Sequence, residues 1–299
     1  MTAAVTAAVT AARPFYVVSD VHLGVSEATE AAFAAFLRHA AAEAAELLIV
    51  GDLFDVFFAF EHFSPPDHAR TLSLLREVVD AGVRVLFVGG NRDAIEWSGA
   101  ALRRVGVEVL PDPAHVRFAG RRALVAHGDG VRPGRAAYSK GQRLLRHAAT
   151  VWAAGHLLPP HWLFRQLSRR SGARVWAARH ARGLSTGPKA RAPGVEAWAL
   201  GALATDPALA LVVAGHTHLP ALREAGAGRY YVNAGDWISH FTFAELPADG
   251  GRPVVRCWPS RAPLDWTTVD DGSERTRPPS GVLTVHAPDP IFPEPGTAP

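Results

Sequence analysis

Two histidines stand one residue apart in Gly215-His216-Thr217-His218, directly after the apolar run at 209–214. Alone, such a pair is a polar turn; as ligands, the two imidazoles need partners elsewhere in the chain. Candidates recur at the ends of other apolar runs. Asp20 and His22 follow residues 15–18, Asp52 follows 47–50, Asn91 follows 83–88, and His127 follows 123–126. On extended backbone, residues i and i+2 share a face, so Asp20 with His22, and His216 with His218, are each predicted to aim two donors in one direction. Seven donors exceed the three or four protein ligands of a single catalytic ion. Two ions sharing Asp52, which stands alone at its strand end, would use all seven. Oxygen and imidazole donors without thiolate suit Mn, Fe, Zn or Mg. A pair of ions ~3.5–4 Å apart activates water and steadies both the entering and leaving oxygens of a phosphoryl transfer. On this reading Asp52, Asn91, Arg92 and His127 are the catalytic candidates, with Asp93 and Asp129 orienting their neighbours.

The elements that must position these residues are short apolar strands alternating with helix-favouring segments at about 27–46 and 66–81. That alternation predicts an α/β fold, in which sites gather at the carboxyl ends of strands. Residues far apart in sequence are thereby expected side by side. Strands are also predicted at 229–233 and 241–244, with Gly235-Asp236 turning between them.

Charge is distributed unevenly. Residues 131–192 hold 13 Lys or Arg and no Asp or Glu, so a net charge of +3 leaves −10 for the rest of the chain. This segment interrupts the alternation and carries Trp152, Trp162 and Trp176 among several leucines, with Pro159-Pro160 dividing it. It is predicted to form helices of a basic cap at about 131–205, open to two readings: apolar packing on the core, or a pocket for acyl chains. Its field points to an anionic partner, and its tryptophans and leucines favour a lipid surface over nucleic acid. No apolar run reaches the ~18–20 residues of a membrane span. Residues 1–13 lack the basic start of a signal peptide and read as a disordered extension; 272–299, with seven prolines, read as a disordered tail. The single Cys257 fits a reducing cytoplasm.

The ordered set Asp20-Val21-His22, Gly51-Asp52, Gly90-Asn91-Arg92-Asp93, His127-Gly128-Asp129 and Gly215-His216-Thr217-His218 resembles the calcineurin-like metallophosphoesterases. The resemblance runs from about residue 14 to 243. It implies an αββα sandwich of two packed sheets spanning about 14–271, with the cap inserted. It assigns Asp20, His22, Asp52 and His218 to one metal, and Asp52, Asn91, His127 and His216 to the other. Five features, namely SDVHLG, GDLFD, GNRD, HGDG and the YVNAGDWISHFTF ending, are closer still to the UDP-2,3-diacylglucosamine pyrophosphohydrolase branch. That branch implies two divalent ions, typically manganese, and cleavage of a UDP-linked diacyl sugar for lipid A at the cytoplasmic face of the inner membrane. It also implies substrate contacts from Arg92, Tyr138 and Lys189. The turn at 131–135 departs from the branch by reading Val-Arg-Pro-Gly-Arg where relatives often carry an acidic residue.

Arg92 bears on the substrate independently. A guanidinium does not donate a proton near neutral pH but clamps a phosphate bidentately. A diphosphate leaves as a phosphate monoester that needs little protonation, so Arg92 favours a diphosphate over an alkyl ester. The alternatives are a phosphoesterase for another phosphodiester or nucleotide, and a non-catalytic scaffold on the same fold.

Overall fold

In the computed structural model, residues 12–60, 65, 68–132, 135–136, 138–169 and 193–266 are described. Residues 1–11, the 272–299 tail, Trp176 and Lys189 lie outside them.

Four strands run parallel as neighbours: β1 (Phe15–Val18), β2 (Glu46–Val50), β3 (Arg84–Val88) and β4 (Glu108–Leu110). Helices α1 (Glu27–Glu43), α2 (Ala69–Asp80) and α3 (Ile95–Arg104) make their crossovers. Ser26 caps α1 by accepting from the Thr29 amide at 3.1 Å. Behind that cap Phe33, Phe36, Leu37 and Ala40 recur at helical spacing and are buried. A second sheet holds β5 (Ala114–Phe118), β6 (Arg121–Ala126) and, later in the chain, β9 (Leu211–Ala214), β10 (Ala221–Glu224) and β11 (Tyr230–Asn233), in the order β10-β11-β9-β6-β5. The closing strands β12 (Thr242–Leu246) and β13 (Val254–Cys257) return to the first sheet, antiparallel beside β1.

Both faces of each central strand are buried, which is why β2 reads as the unbroken run Leu47-Leu48-Ile49-Val50 instead of alternating. Val17, Leu48, Val50, Leu86 and Val88 meet Phe118, Val125, Leu211 and Val213 between the sheets. The opposite residues of the first sheet, such as Val18, Leu47, Ile49 and Phe87, pack with α1 and α2 residues such as Phe33, Phe36 and Leu75.

Between β6 and β9 the chain makes a short hairpin, β7 (Val131–Arg132) with β8 (Arg135–Ala136), then α4 (Lys140–Leu145), α5 (Ala148–Leu157) and α6 (Pro160–Arg169). Pro160 occupies the first turn of α6, where its missing amide costs nothing, so the Pro-Pro pair does divide two helices. The helix at Pro193–Thr205, here α7, falls inside the expected cap but packs as part of the sandwich. Its Val195, Trp198, Ala199 and Leu203 cover Leu124, Ala126, Val212 and Tyr231 on the outer face of the second sheet. The layers are therefore helix, sheet, sheet, helix. Among the described residues the basic helices standing off that sandwich are α4–α6.

Candidate metal centre

The carboxyl ends of β1, β2 and β3 lie side by side in one sheet, and those of β6 and β9 are parallel neighbours in the other. Loops leaving these ends carry all seven donors predicted from the sequence. Asp20, His22, Asp52, His127 and His218 are each no more than 5% exposed. His218 Nε2 lies 3.6 Å from Asp20 Oδ1, and the His22 and His218 rings stack at 5.0 Å. Asp52 faces two ways: Oδ2 is 3.8 Å from His22 Nε2, and Oδ1 is 3.6 Å from His127 Nε2. Its carboxylate thus stands between His22 and His127. His216 is half-buried with its ring 5.1 Å from that of His127. Asn91 is exposed on the loop after β3.

Backbone conformation supplies the shared direction of the donors, and here the strand argument is corrected. Asp20, His22, Asp52, His216 and His218 all have positive φ, between 51° and 66°. They sit in left-handed turns beyond the strands, not on extended backbone. A non-glycine residue in this region is uncommon and costs about 1–3 kcal/mol when strained, and such residues cluster at functional sites.

Neighbouring groups fix the donors. The Val50 carbonyl, an acceptor only, accepts a hydrogen bond from His127 Nδ1 at 3.0 Å, so Nε2 is the nitrogen turned to the site, whose proton a metal ion would displace. Asp236 Oδ2 does the same for His218 Nδ1 at 3.3 Å, while its Oδ1 accepts from the Ser239 and His240 amides at 2.9 Å. Asp93 accepts from the amides of Asp52, Phe54 and Gly90 at 2.9–3.1 Å and so holds the loop bearing Asp52. Such partners orient ligands and sharpen their basicity. Gly51, at φ 73°, leaves room for His127: a Cβ there would lie 2.3 Å from Nδ1.

The electrostatics suit cations. Burial pushes the His22 imidazole down to about 3 against the pull of Asp52, so it is neutral, the form that ligates. Burial lifts the Asp20 carboxyl to about 6, opposed by His218 and His127. Burial alone would lower His127, but Asp52, Asp20 and Asp129 outweigh it and hold it at about 9. Asp20 Oδ1, both His22 nitrogens and His127 Nε2 are buried and have no hydrogen-bond partner. Buried polar atoms without partners are costly, and divalent ions satisfy such a set. Among the described residues, two groups bring their ligand atoms within 4.8 Å of one another: Asp20, His22 and His218, and Asp20, Asp52 and His127. Oxygen and nitrogen donors in this arrangement fit two neighbouring divalent ions.

Arg92 is half-buried; its amide donates to Asp52 Oδ1 at 2.9 Å, and its guanidinium lies near enough to His22 to lower that imidazole. Tyr138 is close by, but its hydroxyl donates to Asp112 Oδ2, and Asp112 Oδ1 accepts from the His127 amide at 3.1 Å. Tyr138 therefore supports the loop of His127 in this structure. Sequence reasoning missed Asp112 and Arg146. Arg146 is 10% exposed, lies 4.0 Å over the Tyr138 ring and donates to the Gly90 carbonyl at 3.1 Å. In a segment of thirteen cations nothing marked it as the inward one.

Fold and site together define a metal-dependent phosphoesterase: a two-sheet sandwich whose strand ends present carboxylates and imidazoles to divalent ions. The profile of the calcineurin-like phosphoesterases matches residues 13–220, and the chain belongs to that family. Relatives include proteins named UDP-2,3-diacylglucosamine hydrolase. The one from Ralstonia nicotianae is 34% identical over 230 residues, covering 75% of this chain and 84% of its own. That of Pseudomonas paraeruginosa is 30% identical over 248 residues, covering 79% and 95%, and that of Azotobacter vinelandii 32% over 227, covering 74% and 89%.

Proposed function

We propose that this chain hydrolyses the diphosphate of UDP-2,3-diacylglucosamine, releasing UMP and 2,3-diacylglucosamine 1-phosphate for lipid A synthesis. The observation that carries the reading is the set of buried donor atoms, unpartnered within the protein, converging from strand ends of both sheets. Similarity to hydrolases of that name over most of their length supports the substrate.

Asp20, His22, Asp52 and His218 would hold one ion, and Asp52, Asn91, His127 and His216 the other, with Mn²⁺ as the proposed metal. When bound, the ions neutralise charge on the phosphoryl oxygens and acidify a nucleophilic water. The chain's own residues do the rest. Arg92 grips the diphosphate and steadies the charge that builds on the departing phosphate monoester. Asp236 and the Val50 carbonyl hold His218 and His127 through Nδ1 and so turn Nε2 of each ring to the site.

Helices α4–α6 present the lipid-facing side. Leu144 (66% exposed), Trp152 (59%), Leu157 (71%) and Trp162 (53%) are open to solvent beside the exposed Lys140, Arg143, Arg165 and Arg169. That pattern supports reversible attachment to an anionic bilayer, at roughly 1 kcal/mol per cation near the surface. Leu163 and Phe164 instead turn inward to Val56 and Phe58, so the cap combines core packing with an apolar outer face. Among the described residues no helix is long and apolar enough to cross a membrane.

The test is purified protein with Mn²⁺ offered the UDP-diacyl sugar, UDP-sugars without acyl chains, cyclic dinucleotides and p-nitrophenyl esters. UMP release from the acylated substrate alone is expected. Equal turnover of a soluble diester would overturn the assignment.

A further inference from the structure

A pocket of roughly 310 Å³ opens beside the metal centre, lined by Glu27, Glu30, Asp55, His68, Phe164 and Ser168 among others. It starts at Leu23, the residue after His22, and Asp55 Oδ1 lies 4.0 Å from His22 Nδ1. Its volume sits at the low end of small-molecule sites, ~300–1,000 Å³. Within it the Ser168 hydroxyl is buried, with the residue 7% exposed, and has no hydrogen-bond partner. A buried hydroxyl without a partner is destabilising unless a ligand supplies one.

The lining limits what that ligand is. Carboxylates accept hydrogen bonds and do not donate, so Glu27 and Glu30 match a group rich in hydroxyl donors. They repel a diphosphate. Among the described residues the close-set ligand groups are both at the metal centre, so these carboxylates are not gathered around a cation. Acyl chains have the neighbouring apolar cluster of Val56, Phe58, Phe60 and Trp97. What remains of a UDP-linked lipid is its nucleoside, whose ribose offers two adjacent hydroxyls; acidic side chains bind ribose hydroxyls in the same way in dinucleotide sites. Phe164, edge-on to His68 at 6.1 Å between ring centres, supplies an aromatic wall for the base.

Resting on the function proposed above, we infer that this pocket takes the uridine half of the substrate, with the ribose hydroxyls on Glu27, Glu30 and Ser168. The site belongs jointly to the first turn of α1 and the last turn of α6, so the cap helps select the nucleotide as well as the lipid.

The experiment measures binding of UMP and of 2′,3′-dideoxy-UMP by calorimetry, in wild type, Glu27→Gln/Glu30→Gln and Ser168→Ala. Wild type is expected to prefer UMP by about tenfold, as for loss of hydrogen bonds to a charged group. The double variant should lose that preference while metal content by elemental analysis and Tm stay at the wild-type values. Ser168→Ala should weaken UMP without lowering Tm, because it removes a hydroxyl that the folded protein leaves unpaired. Equal affinity for the two nucleotides in wild type, or a preference that survives both carboxamide substitutions, would overturn the subsite. If the UDP-diacyl sugar is hydrolysed and the preference is absent, only the subsite falls. If that substrate is untouched, the proposed function falls, and nucleotide binding still decides the pocket.

Discussion

Asp52 shows how narrow the tolerances are at single residues. A Cβ on Gly90 would lie 2.1 Å from Asp52 Oδ1, so even Gly90→Ala must displace the Asp52 carboxylate. The expected result is a loss of about 1–3 kcal/mol in denaturant unfolding, with metal content by elemental analysis falling below wild type. Asp236→Ala frees His218 to rotate and to take the wrong tautomer; a 10–100-fold loss of metal affinity is expected in chelator competition. Under the role proposed for Arg92, Arg92→Lys keeps the charge but not a two-pronged grip, so KM for the diphosphate substrate should rise while metal content stays unchanged. The candidate donors Asp20, His22, Asp52, Asn91, His127, His216 and His218 could be picked out in the sequence, since five donor-bearing turns in a row after apolar runs have little other reason to exist. Nothing there pointed to Asp236 as the partner of His218. The geometry of the donors was not legible either. Alternation along a strand was the only rule available from spacing, whereas the left-handed turns at Asp20, His22, His216 and His218 depend on φ angles that side-chain type alone does not announce.

Elements differ in how openly they declare themselves. β2 and β9 are apolar on both faces because both faces are covered, and such runs are easily read. α3 is hidden: Ser98 and Gly99 sit at its centre, both weak helix formers, and its buried face is only Ser98, Gly99, Ala101 and Leu102. α7 was misplaced into the cap since its sequence is nearly uniformly apolar and small, which gives no stripe to orient it. Contact with the second sheet decides its position. The α4–α5 junction is joined to the core through Arg146, which touches Tyr138 and the Gly90 carbonyl. A double-mutant cycle of Arg146→Ala with Tyr138→Leu should give a coupling of about 0.5–2 kcal/mol in unfolding free energy. A value near zero would mean the helices are not anchored there.

For the molecule as a whole, the proposed binding of ions and the proposed attachment to an anionic surface should be separable. Chelation should lower Tm by roughly 5–10 °C. An ion at a hundred times its Kd adds about 2.7 kcal/mol, and a domain of this size shifts about 2–4 °C per kcal/mol. Restoring Mn²⁺ should reverse the loss. Trp152→Ser with Trp162→Ser replaces two exposed rings, so stability should hold to within about 0.5 kcal/mol per site. Co-sedimentation with anionic vesicles should weaken and become more sensitive to salt.

Because β1 and β2 belong to one sheet and β6 and β9 to the other, the ion-binding residues draw from both slabs of the sandwich along a single margin. Cations seated there would rivet the slabs together at one end, whereas the far margin is joined without them, by hydrogen bonds from the Ala119 amide to Glu46 (3.2 Å), from Arg84 to the Arg117 carbonyl (3.0 Å) and from Arg121 to the Gly251 carbonyl (2.6 Å). Breathing of the two slabs should thus be lopsided: stripping the ions would speed amide exchange first at Asp20, Asp52 and Gly215, and leave the amino-terminal ends of the same strands as slow as before.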